Sequence, residues 1–199
     1  MAPVTHPRLT PAEFVAAMWR TGWRAPIELI DGQAVVIPPS GGEASFDKTE
    51  LGHRLCAWQE AEGRAGRVLT DVVVRVQDAF LAPDVAWWGA GREPEIAPGA
   101  IDTVPDVVAE VLSPRTRDND LGPKRGRYLR AGVRELWLID PAGRSAVLAT
   151  ASGEKRLRAA ESSRRRCCPA SGCLSRTWSH DAPAQWGRMA AAPGRGPSV

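Results

Sequence analysis

The sequence lacks long apolar runs, a secretion signal, and net positive charge in most of its length. Its longest apolar runs, such as residues 107–112 with Glu110 inside, are far shorter than the roughly 20 residues that a bilayer helix needs. The first residues, MAPVTHPRLTPAEF, have no basic start followed by an apolar stretch, so we expect no secretion and a cytoplasmic location. No membrane partner is therefore predicted.

Cysteine is scarce, and three of the four cysteines lie in the last part of the chain. Without a secretion signal, a disulfide framework is not expected. A zinc site formed by Cys168, Cys173 and His180 is an alternative, but the paired CxxC spacing typical of such sites is absent. Reduced thiols without a metal are the favoured interpretation.

The excess of basic over acidic residues is confined to the C-terminal end of the chain. Residues 151–199 contain nine Lys/Arg and three Asp/Glu, so the overall net charge of +3 leaves residues 1–150 with a net charge of −3. A general attraction between residues 1–150 and nucleic acid is thereby excluded, and any contact with DNA has to be local.

What is present fits one globular domain followed by a tail. A chain of 199 residues with 43% hydrophobic and 25% charged residues can bury one substantial core. Periodic patterns end near residue 150, and the rest is rich in Arg, Ser, Pro, Gly and Ala. We therefore predict a domain over residues 1–150 and a basic, poorly ordered tail over residues 151–199.

Local signals predict a helix and a hairpin at the start of the domain. Thr10 and Glu13 have the spacing of a capping box, with Pro11 at the first helical position. Residues 27–37 read IELIDGQAVVI, and the Asp31–Gly32 pair between two apolar runs is typical of a tight hairpin turn.

The remaining elements predict an α/β fold with a mixed sheet. Helical spacing over residues 44–62 is followed by three strand-like runs, a second helix and two further strands. The predicted strands are 68–76, 81–88, 104–112, 135–139 and 146–150, and the second helix is 120–131. The core order is helix-strand-strand-strand-helix-strand, preceded by the N-terminal hairpin.

Three residues of the domain are candidates for chemistry. Asp84 follows Pro83 in LAPDVAWW, where a turn or capping role is the alternative. Glu110 interrupts the apolar run VVAEVL, and a carboxylate taken into a dry core needs a partner or a metal. Lys124 lies in the first turns of the second helix and could return over the strand end, although a lone lysine there is ordinarily solvated.

Two kinds of partner could neutralise the charge of Glu110. Arg115 or Arg130 could pair with it for purely structural reasons. A magnesium or manganese ion is the alternative, because two carboxylates on adjacent strands repel unless a cation lies between them. Such an ion activates water for attack on a phosphodiester, and the Lys124 charge could stabilise the transition state.

Three segments carry a resemblance to a known family. They are IELIDGQAVV (27–36), APDVAWW (82–88) and VPDVVAEVLSPRTRDNDLGPKRGRYLRAGVRELWLIDP (104–141), with EVLSP and the later K-x-x-x-Y as the specific part. From Thr10 to about Thr150 the chain resembles the Uma family of restriction endonucleases, a bacterial group with the PD-(D/E)XK nuclease fold. The resemblance implies that Asp84 and Glu110 hold the metal, that Lys124 is a catalytic lysine displaced onto the helix, and that Glu28 lies beside them.

Several neighbouring residues have two interpretations each. Tyr128, one helical turn after Lys124, either orients the site or fills the core. Asp120 either caps the second helix, which is favoured, or pairs with Lys124. Ser113 either bonds near Glu110 or forms a turn. His53 is interpreted as an ordinary helix residue. The adjacent Trp87 and Trp88 are interpreted as packing residues in preference to base-stacking ones.

The end of the chain departs from the family pattern. In place of a final strand, a turn and a short helix, the sequence reads RRRCCPASGCLSRTW. We hypothesise that the tail is a shifted reading frame or a degenerate end.

The sequence thus predicts a magnesium-dependent endonuclease that acts on DNA. The alternatives are a catalytically inactive DNA-binding or interaction module of the same fold, and a phosphodiesterase that acts on RNA. Nuclease folds of this kind often pair, so a homodimer is a further hypothesis, although no interface pattern is visible.

Overall fold

Two β-sheets form the centre of the fold in the computed structural model, which describes residues 8–23, 27–37, 39–114 and 117–158. The helices are α1 (Pro11–Thr21), α2 (Gly42–Ala61), α3 (Arg117–Asn119), a π-helical turn (Asp120–Lys124) and α4 (Arg125–Arg130). The strands are β1 (Ile27–Ile30), β2 (Gln33–Val36), β3 (Gly66–Thr70), β4 (Val74–Val76), β5 (Ala79–Leu81), β6 (Val85–Gly89), β7 (Val107–Val111), β8 (Glu135–Asp140), β9 (Ser145–Thr150) and β10 (Gly153–Arg158).

The larger sheet has six strands in the order β10-β9-β8-β7-β6-β3. β7 and β8 are parallel, and the helical segment between them is the crossover that parallel strands require. All other neighbours are antiparallel. The residues of β6 and β7 alternate between two separate apolar clusters, so both faces of these central strands are buried.

Different elements cover the two faces of the larger sheet. Leu51 and Leu55 of α2 pack on one face, together with Val85 and Val107. On the other face, Tyr128 of α4 packs beside residues of the smaller sheet. This second face contains the candidate residues described below.

The smaller sheet has the order β2-β1-β5-β4 and follows the predicted hairpin. Asp31 and Gly32 form its turn with φ values of 52° and 75°, which glycine adopts without strain. Helix α1 begins with the predicted capping box between Thr10 and Glu13. Its buried residues Phe14 and Met18 pack against this sheet.

The fold class and the core order are confirmed, with four differences in detail. The predicted strand 68–76 divides into β3 and β4 around Asp71, which has a positive φ of 51°. The predicted strand 81–88 divides at Pro83, which has no N–H to give to a ladder. The segments β4 and β5 pair with each other in the smaller sheet, so α2, β3, β6, β7, the helical crossover and β8 form the predicted core order.

The other two differences concern the ends of elements. The second helix begins at Arg117 and contains a π-helical turn, where the sequence predicted one regular helix from residue 120. Strand β10 was not predicted, because Leu157 is its one apolar residue. It pairs with β9 along its full length and so extends the sheet beyond residue 150.

Several sequence predictions lie outside the described residues. They include the low order of residues 159–199, the shifted reading frame, the alternative zinc site of Cys168, Cys173 and His180, and Arg115 as a partner of Glu110. Within the described ranges, no helix combines the length and the apolar character needed to cross a bilayer.

Candidate active site

Seven ionisable side chains line one cavity of about 590 Å³. They are Glu28 of β1, Glu43 and Lys48 of α2, Asp84 just before β6, Glu110 of β7, and Asp120 and Lys124 of the π-helical turn. The four residues proposed from the sequence resemblance, Glu28, Asp84, Glu110 and Lys124, are therefore neighbours in space.

Lys124 lies at the centre of this group and is almost completely buried. Its Nζ is 2.7 Å from Glu110 Oε1, 2.9 Å from Glu28 Oε1 and 3.2 Å from Asp120 Oδ1. Asp120 thus pairs with Lys124, which corrects the favoured capping role. The physical reason is that the helical segment starts three residues earlier, so Asp120 is not at its N-terminus.

Glu110 has a second partner on the crossover helix. The Tyr128 hydroxyl donates a hydrogen bond of 2.9 Å to Glu110 Oε1, and both side chains are buried. Tyr128 also packs in the apolar cluster on this face of the sheet. Both interpretations of Tyr128 therefore describe real contacts, since its ring fills the core and its hydroxyl orients the carboxylate.

Asp84 is held at the end of the neighbouring strand. The Val111 N–H donates to Asp84 Oδ2 at 2.6 Å, and Lys48 Nζ is 2.6 Å from Asp84 Oδ1. Val85 of β6 faces Ala109 of β7 in the antiparallel register. Asp84, one residue before Val85, therefore lies opposite Glu110, one residue after Ala109. The hydrogen bond from the Val111 N–H to the Asp84 side chain therefore links two neighbouring strands. It is not the local turn contact that the sequence left as an alternative.

Sequence reasoning missed Lys48. It lies on α2 three and seven residues before Leu51 and Leu55, which are both buried on the core side of this helix. This spacing places Lys48 on the same face of the helix as the two buried leucines. It was the available signal in the sequence, because a charge at such a position needs a partner.

The electrostatics of the cavity favour retention of protons. Burial raises the pKa of Glu110 well above its usual range, against the lowering effect of Lys124, and nearby Asp84 raises it further. Burial also raises the pKa of Asp84, although Lys48 opposes this effect. For Lys124, burial lowers the pKa, but the carboxylates led by Glu110 outweigh it and raise the pKa well above its ordinary value. Burial is thus the main cause for the two carboxyl groups, and the surrounding negative charge is the cause for the lysine.

The donor set fits a divalent cation of the magnesium type. Within the described part of the chain, no group of three or more His, Cys, Asp or Glu side chains is arranged for a metal. Magnesium, however, is usually bound by one or two carboxylates, with water and phosphate as the other ligands. Asp84 and Glu110 are two carboxylates that line the same cavity, a number that fits such a site.

The other residues considered from the sequence contribute less to the cavity. Trp87 and Trp88 are buried and donate to Gln59 Oε1 and to the Thr103 carbonyl oxygen, so they pack and do not stack on bases. His53 is exposed on α2. Ser113 lines the cavity next to the end of β7.

Comparisons with known proteins agree with this architecture. The family model Uma2, described as “Putative restriction endonuclease”, matches residues 17–166. The crystal structure of a putative nuclease belonging to DUF820 from Anabaena variabilis has a TM-score of 0.61 and 21% identity, over 75% of this chain and 84% of that chain. At this identity the likeness shows the fold alone. No curated protein matches the chain.

Proposed function

The chain belongs to the Uma2 family, and on that premise we propose that it is a magnesium-dependent endonuclease that hydrolyses DNA phosphodiester bonds. The observation that carries the proposal is the meeting of Asp84, Glu110 and Lys124 in one cavity. Buried charges stabilise a fold no better than apolar residues of similar size, so this cluster needs a reason other than stability. Carboxylates with raised pKa values in a cavity are typical of functional sites.

In this proposal, Asp84 and Glu110 hold Mg²⁺ or Mn²⁺. When bound, the ion supplies charge stabilisation to a phosphodiester and makes water more acidic, which is the chemistry that hydrolysis requires. Tyr128 and Lys124 fix the Glu110 carboxylate, and the positive charge of Lys124 would stabilise negative charge that develops in the cavity during hydrolysis. Glu28, whose Oε1 also accepts the Ala82 N–H at 2.9 Å, holds Lys124 in place.

The proposed site is of the PD-(D/E)XK type with its lysine moved. Two positions after Glu110, where that pattern has lysine, this chain has the buried Leu112. Lys124 approaches Glu110 from the π-helical turn and brings an ammonium group to the same carboxylate. The same chemistry is therefore compatible with a lysine that comes from the helical segment in place of the strand.

Plasmid cleavage tests the proposal. We expect the purified protein to nick or cut supercoiled plasmid DNA with Mg²⁺, and Glu110→Gln and Asp84→Asn to abolish cleavage while the fold persists. Glu60→Gln, an exposed change on α2, is the matched control and should cleave like the unchanged protein. Equal cleavage by all of these proteins would contradict the site assignment.

A non-catalytic module of the same fold is the second candidate. One observation favours it: both proposed metal ligands already have ammonium partners, Lys48 and Lys124, at 2.6 and 2.7 Å. Such a module would bind DNA without cutting it. The same assay with an RNA substrate separates the DNA proposal from that of a phosphodiesterase acting on RNA.

A further inference from the structure

The two lysines of the cavity differ in how fully their ammonium groups are used. Lys124 Nζ contacts three carboxylates and lies 3.5 Å from the Ala82 carbonyl oxygen. A lysine ammonium has three N–H donors. Direct donation from Lys124 to a substrate would therefore break one of its buried ion pairs.

Lys48 has one close carboxylate partner. Its Nζ lies 2.6 Å from Asp84 Oδ1, and its next carboxylate is Asp71 at 3.9 Å. Asp71 is 77% exposed, so that longer contact is largely screened by water. The Lys48 side chain is 15% exposed and lines the cavity, which leaves its ammonium group accessible from the space that a substrate would enter.

A divalent cation on Asp84 would compete with this ammonium group. Asp84 Oδ2 is fixed by the Val111 N–H, so Oδ1 is the oxygen that Lys48 and an ion would share. Two cations on one oxygen repel each other strongly in a partly buried cavity. The flexible four-carbon stem of lysine allows Nζ to move away from Oδ1 while α2 stays in place.

We propose that Lys48 is the substrate-binding cation of this site. Its ammonium group neutralises Asp84 in the metal-free protein, and on metal binding it moves to a phosphate oxygen of the bound nucleic acid. The inference rests on the proposed function and adds a residue to it. Once Lys48 is displaced, a phosphate oxygen in the cavity offers it the charge-assisted hydrogen bond that it loses at Asp84.

Opposite changes in two measurements test this role. Titration of Mn²⁺ into the metal-free protein, without nucleic acid, should show about threefold to tenfold tighter binding by Lys48→Met, because a competing cation is removed. In Mg²⁺-dependent cleavage, the same variant should have a KM for DNA that is about tenfold higher. Lys48→Arg keeps the charge and should restore most of the KM.

The matched control removes another cation from an ion pair on the same helix. Arg54 pairs with Glu50 at 2.6 Å outside the cavity, so Arg54→Met should change neither the Mn²⁺ affinity nor the KM. Thermal melts of each variant check folding, and Lys48→Gln replaces Lys48→Met in both measurements if Lys48→Met does not fold. Unchanged or weaker Mn²⁺ binding by Lys48→Met, or an unchanged KM, overturns the role of Lys48 alone. Absence of both Mn²⁺ binding and cleavage in the unchanged protein overturns the proposed function with it.

Discussion

Lys124 Nζ and Glu110 Oε1 meet at 2.7 Å inside the protein, and each of the two side chains is at most 5% exposed. Around them, Glu28 and Asp120 add two more buried carboxylates on the same ammonium group. This one lysine therefore compensates three buried acids, and the predictions for the fold and for the site both depend on it.

Removal of the lysine should destabilise the fold. Lys124→Met leaves Glu28, Glu110 and Asp120 buried without their common cation, which should lower the free energy of unfolding by about 3–5 kcal/mol at neutral pH. Urea denaturation of the metal-free protein measures this change. Lys155→Met on β10 is the control for loss of an exposed lysine, and a loss for Lys124→Met as small as for this control would contradict the ion-pair network.

Replacement of Glu110 should have the opposite effect on stability. Because burial raises its pKa in the fold, ionisation of Glu110 costs stability as pH rises above the pKa of the unfolded chain. Glu110→Gln removes this cost and one repulsive charge, while its amide oxygen can still accept from Lys124 and Tyr128. We expect the metal-free variant to be more stable at pH 7 by on the order of 1 kcal/mol.

Thermal melts between pH 4 and pH 8, the range set by this upward shift, check that prediction. The difference between Glu110→Gln and the unchanged protein should shrink as pH falls toward 4, because Glu110 then becomes protonated in the unfolded state as well as in the folded state. A variant that is less stable than the unchanged protein at every pH would contradict the raised pKa.

The hydroxyl of Tyr128 should contribute to both stability and activity. Tyr128→Phe keeps the buried ring and removes the 2.9 Å bond to Glu110, so the free energy of unfolding should fall by about 1 kcal/mol. Because the proposed metal ligand Glu110 loses its orienting partner, cleavage should fall about 10- to 100-fold. Denaturation and plasmid cleavage on one preparation measure the two effects. A loss of stability with full activity would show that the Tyr128 hydroxyl contributes to stability alone.

Local features of the fold were predictable because their causes lie within a few residues. The capping box of Thr10 and Glu13 and the hairpin turn at Asp31–Gly32 each follow from neighbouring side chains and backbone preferences. Strand β10 was missed for the converse reason. Its pairing with β9 is set by the neighbouring strand, and its own residues have no apolar alternation.

The members of the site were only partly predictable. Glu110 is visible in sequence because it interrupts an apolar strand, whereas the contact of Glu28 with Lys124 depends on how the two sheets pack. The role of Asp120 was mistaken because the π-helical turn and the earlier helix start leave no pattern that the sequence analysis used. Lys48 was missed because its partner Asp84 is distant in sequence and meets it only through the packing of α2.

Metal binding by Asp84 and Glu110 is the central claim, and calorimetric titration of the metal-free protein with Mn²⁺ tests it most directly. The account predicts one saturable site per chain in the unchanged protein and in Glu60→Gln, with affinity at least about tenfold weaker in Asp84→Asn and in Glu110→Gln. Equal Mn²⁺ affinity in all four proteins, or no binding in any of them, would contradict it.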